Sequence, residues 1–151
     1  MAWVDRARRL LPGLWAGWLL CVAGLATPAA FALLERAEAG RLAGRMLAQE
    51  AYTSLALGVG LLVLERVVAR RAALAGTGSQ FTAGMALALA ALFCTIVGYF
   101  AIQPLMPAAR AGDGLLSFGQ LHATSAAFYV VKVGLVLALA WRALGGSRAM
   151  A

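Results

Sequence analysis

From Phe81 to Ile102 the chain carries no charged side chain. A helix over that run, at about 1.5 Å per residue, is roughly 33 Å long and matches a hydrocarbon core of ~30 Å. Leu10 to Leu34 is a second uncharged run, about 37 Å as a helix. A chain of 151 residues has room for about one domain, and this one is 63% hydrophobic and only 13% charged, with mean hydropathy +0.84. A soluble fold of this size has too little interior to hide so much apolar surface, so the class is integral membrane protein. The net charge of +7 would suggest nucleic acid in a soluble chain. Here the basic residues bracket apolar runs, which is the pattern of membrane topology, and no nucleic-acid partner is expected.

Two further runs complete a set of four. Only Ala51 to Leu64 lies uncharged between Glu50 and Glu65, about 21 Å and too short to span. Extending the helix back to Met46 gives a full span but draws Glu50 below the interface. The fourth run, Leu121 to Trp141, is interrupted by His122 and Lys132. Expected spans are therefore about 10–34, 46–68, 81–103 and 121–142, in a single membrane domain over 1–151. They leave external loops at 35–45 and 104–120, the second with room for a short helix, and a cytoplasmic loop at 69–80. The Arg-rich start followed by Leu10–Leu34, with Ala30-Phe31-Ala32 beyond, also has the layout of a signal peptide, but the run is longer than a signal core.

Eight arginines (Arg6, Arg8, Arg9, Arg66, Arg70, Arg71, Arg142 and Arg148) fall on the side that would hold both termini. Arg36, Arg41, Arg45 and Arg110 fall on the other. The positive-inside rule then places both termini in the cytoplasm. The expected fold class is all-α: a polytopic, up-down-up-down bundle of four transmembrane helices in the bacterial inner membrane.

On a helix, His122, Ser125, Tyr129 and Lys132 recur at steps of three, four and three and form one polar stripe. Such a stripe faces protein or water rather than lipid. Side chains lean toward a helix's N-terminus, so Lys132 should reach outward, toward Glu50. The expected outward-facing polar cluster is Glu50, Gln103, His122, Ser125, Tyr129 and Lys132, with Tyr52 or Thr53 beside it. Intramembrane ionisable groups serve as ion paths, proton relays or ligand sites, or they satisfy each other as a structural clasp. Both readings remain open from the sequence.

Other chemistry finds little support. Cys21 and Cys94 lie on different runs, no CxxC or HxxxH spacing occurs, and no dedicated metal site is expected. A single histidine permits a five-coordinate haem at most. No nucleophile elbow or Gly-rich phosphate loop is present. The protein is read as a non-enzymatic binding, transport or assembly component without a required cofactor. Its partners are the lipid bilayer and a second copy or another membrane protein. The alternative is a haem- or quinone-dependent redox protein using His122.

The stretch Gln103-Pro104-Leu105-Met106 through Arg110-Ala111-Gly112, followed by Ser117-Phe118-Gly119-Gln120-Leu121-His122, resembles the transmembrane protein 205-like family of small bacterial inner-membrane proteins. Pro28, Ala39-Gly40, Gly44-Arg45, Ser125 and Lys132 are similar to the same pattern. The resemblance implies a four-span membrane protein without an assigned activity. A eukaryotic relative associated with drug resistance and secretion implies trafficking or efflux. The layout is also distantly similar to membrane proteins of the copper-resistance D and protoporphyrinogen oxidase types, a fold-level likeness.

Overall fold

The computed structural model describes residues 2–145; Arg148, counted in the charge balance above, lies outside them. Among the described residues the chain is helical, with no strand. Four stretches are long and apolar enough to cross a membrane: Ala2–Leu33, Arg36–Leu74, Ala83–Ala111 and Phe118–Gly145. The first consists of α1 (Ala2–Cys21), a π-helical turn (Val22–Ala26) and α2 (Thr27–Leu33). The second is one unbroken helix, α3 (Arg36–Leu74). The third comprises α4 (Ala83–Thr95), a π-helical turn (Ile96–Ala101), a 3-10 turn (Gln103–Leu105) and α5 (Met106–Ala111). The fourth is α6 (Phe118–Gly145).

The helices run past the apolar stretches. The segment 35–45, expected as a loop, is helical from Arg36 onward, because Arg, Glu and Ala in that segment are good helix formers. At 39 residues α3 is roughly 58 Å long, well beyond a hydrocarbon core. It ends where Gly76 adopts a φ of 69°, a left-handed position that glycine takes without a Cβ penalty. Thr82 then caps α4, its hydroxyl accepting from the Met85 N–H at 3.2 Å. In the expected loop 104–120, α5 is the short helix, closed by Gly112 at φ 85°.

Both π-helical turns lie just ahead of a proline. Pro28 has no N–H for the Gly24 carbonyl, and Pro104 none for that of Phe100. Widening the helix by one residue is a known way to absorb that defect within a membrane span.

Helix α6 packs on α1 and α4, while α3 packs on α1, α2 and α4, so α3 and α6 stand diagonally across the bundle. The core draws on all four: Trp15, Ala16 and Leu19 from α1, Leu61 from α3, Ala88 and Ala91 from α4, Val136 and Leu139 from α6. Large apolar side chains such as Leu14, Val59, Leu89 and Val130 point outward, as a lipid-facing surface requires.

Gly58 marks the tightest contact in this core. A Cβ there would stand 2.6 Å from Leu92 Cδ2 and 3.1 Å from Trp15 Cη2. Gly58→Ala is therefore expected to lower stability by about 1–3 kcal/mol through overpacking. A detergent-unfolding curve with an unchanged midpoint would contradict this close approach.

Candidate functional site

Three of the buried polar residues, Glu50, Ser54 and Lys132, form a chain across the bundle. In α3, Glu50 and Ser54 are one helical turn apart on one face, 2% and 0% exposed. The Trp15 Nε1–H of α1 donates to Ser54 Oγ at 2.8 Å. The Ser54 hydroxyl in turn donates to Glu50 Oε1 at 2.5 Å. The same carboxylate oxygen accepts from Lys132 Nζ of α6 at 2.8 Å. Lys132 is 3% exposed, and its ammonium lies 4.7 Å from the centroid of the Tyr129 ring. A full charge at such depth is costly to insert alone, and its pairing with a carboxylate removes much of that cost. The diagonal placement of α3 and α6 explains the residue type, since lysine's four-carbon stem bridges helices that do not pack side by side.

The α6 stripe divides its bonds among the other three spans. Lys132 bonds to α3. Tyr129 donates its hydroxyl to the Leu19 carbonyl of α1 at 2.9 Å. Ser125 donates to the Gly98 carbonyl in the third span at 2.8 Å. That last acceptor is available for a reason. The Ile102 N–H, which a regular α-helix would give to Gly98, goes to Val97 and Tyr99 in the π-helical turn. The Ser125 hydroxyl fills the vacancy. Gly98 also permits the approach, since a Cβ there would meet Phe128 Cβ at 3.0 Å.

His122 does not join the cluster. It is exposed, and its ring stacks on Phe118 with centroids 5.8 Å apart, while the Arg110 guanidinium lies over Phe118 at 4.5 Å. Its position is that of a surface aromatic contact. Gln103 and Ser125 line a cavity beside Glu50 and Lys132, together with Cys94 and Tyr99. Its volume is about 30 Å³, room for about one water. Of the flanking candidates, Tyr52 is exposed and packs edge-on against Phe100, and Thr53 is partly buried. Among the described residues no group of three or more His, Cys, Asp and Glu is placed to hold a metal ion.

Sequence reasoning missed Trp15 and Ser54. The signal for Ser54 is its position four residues after Glu50, which puts both on one helix face. For Trp15 the only hint is that a tryptophan N–H within a span needs an acceptor, and four tryptophans share that hint.

At the end of the bundle where α1 begins and α6 finishes lies a second ionic group. Arg8 Nε donates to Glu65 Oε1 at 2.8 Å, and Thr82 Oγ1 donates to Glu65 Oε2 at 3.3 Å. Gly84 makes space for that carboxylate, since a Cβ there would stand 2.7 Å from Oε2.

No curated protein and no solved structure matches the chain. A family model described as a domain of unknown function, DUF4149, matches residues 10–113. The match takes in Trp15, Glu50, Ser54 and Gln103 and stops before α6. It covers more than half of the sequence, and the chain therefore belongs to the DUF4149 family.

Proposed function

We propose that the protein is a non-catalytic binding or assembly component of the bacterial inner membrane, with both termini cytoplasmic and its four spans running up-down-up-down. In this reading the Glu50–Lys132 pair is the lock of the bundle and not a station on an ion path. One observation carries it: the pair is sealed, at 2% and 3% exposure, beside a cavity with room for about one water. A conducting relay needs a succession of such sites reaching both surfaces. The polar residues nearest the pair are instead spent on helix-to-helix bonds through Ser54, Ser125 and Tyr129. The arginine asymmetry supports the orientation, and the resemblance to the transmembrane protein 205-like family supports a bacterial inner-membrane location.

The test is ion flux in liposomes containing the full chain, with a pH-sensitive dye inside and an imposed proton gradient. The gradient should decay as in protein-free vesicles, for wild type and for Glu50→Gln alike. Faster decay with wild type that Glu50→Gln abolishes would make the pair a transport site and overturn the reading.

A further inference from the structure

A larger cavity opens at the end of the bundle where α1 begins and α6 finishes. Its volume is about 460 Å³, within the range of sites that hold small molecules. Its inner end is closed by the buried side chains of Pro12, Leu61 and Leu139. Its rim carries the guanidinium groups of Arg8, Arg9 and Arg142. Arg8 is committed to Glu65, whose second oxygen is held by Thr82. No carboxylate among the described residues lies within ion-pair distance of Arg9 or Arg142. Asp5 also lines the cavity, 4.0 Å from Arg8 Nη1, so three guanidiniums stand against two carboxylates and a net positive charge remains on the side of Arg9 and Arg142.

We infer that this cavity binds the phosphate of an anionic phospholipid headgroup, with Arg9 and Arg142 as its ligands. The guanidinium fork matches phosphate oxygens in pairs, which lysine does not. The arginines flank membrane spans, and lipid phosphates lie at that level. That placement at the level of the lipid phosphates favours a lipid over a free phosphate as the source. The inference does not depend on the role of the Glu50–Lys132 pair.

The test uses the full chain in detergent, with native mass spectrometry reading 1:1 adducts. The probes are phosphatidylglycerol, phosphatidylcholine and inorganic phosphate. Phosphatidylglycerol should be retained in preference to phosphatidylcholine, and excess inorganic phosphate should compete with it. Arg9→Ala with Arg142→Ala should weaken phosphatidylglycerol binding by about tenfold or more. Arg6→Ala with Arg70→Ala, which removes the same charge outside the cavity, should leave binding unchanged. Equal retention of the two lipids by wild type overturns the inference without any variant. An equal loss in both double variants would also overturn it, reducing the effect to net charge. Binding of inorganic phosphate with no retention of phosphatidylglycerol would overturn the lipid source.

Discussion

Glu50→Gln is expected to destabilise the purified protein by about 3 kcal/mol or more, because it leaves the Lys132 ammonium buried without its counter-charge. Lys132→Met should cost a similar amount by leaving the carboxylate with only the Ser54 hydroxyl. The two together should cost clearly less than the sum. Replacing both members of a buried pair by neutral groups removes the unpaired charge that makes each single change expensive. A double-mutant cycle on unfolding midpoints in mixed micelles of dodecyl sulfate measures this coupling. Strictly additive costs would mean that the two groups do not interact in solution as they do in the structure. The cycle is also informative about role, since a lock requires coupling whether or not any flux is detected.

Trp15→Ala is the other large effect. Trp15 is fully buried at the centre of the core, where its ring touches the Gly58 surface and its N–H holds Ser54. In a soluble protein such a truncation costs 3–5 kcal/mol, part of it lost transfer from water. The surroundings of this bundle are lipid, so the dispersion and cavity terms remain and the transfer term shrinks. The expected loss is about 3 kcal/mol. Trp15→Phe separates the two contributions. It keeps most of the packing and deletes the donor to Ser54, at a cost of about 1 kcal/mol. The same unfolding assay reads both variants. Equal losses for Ala and Phe would assign the whole effect to the hydrogen bond and remove the packing argument.

The part of the site legible in the sequence was that which follows from the period of a helix and the thickness of a bilayer. Glu50 stood out because its neighbouring apolar run is too short to span without it. Lys132 stood out because a charge so deep in a span needs a partner. The arrangement of their neighbours was not legible. His122, Ser125, Tyr129 and Lys132 share a stripe within about 80°. Yet that breadth is enough to send Ser125, Tyr129 and Lys132 to three different helices and His122 to the surface. The Ser125 bond in particular depends on a carbonyl released by a π-helical turn. Pro104 hints at that turn, but the Gly98 carbonyl is exposed to Ser125 only when the third span lies against α6.

The amino-acid sequence by itself determined the class of fold. Four apolar runs with arginine at their ends leave a chain of this size few alternatives to membrane-crossing helices, because every backbone group in lipid must be bonded within its own segment. Tertiary structure alone decided which helix each polar group serves, that Trp15 and Ser54 extend the Glu50–Lys132 pair, and that arginines far apart in the chain, Arg9 and Arg142, rim one cavity. Helical period is a local property of the backbone. Which faces meet depends on side-chain volume and on the small residues, such as Gly58 and Gly98, that let two particular helices come close.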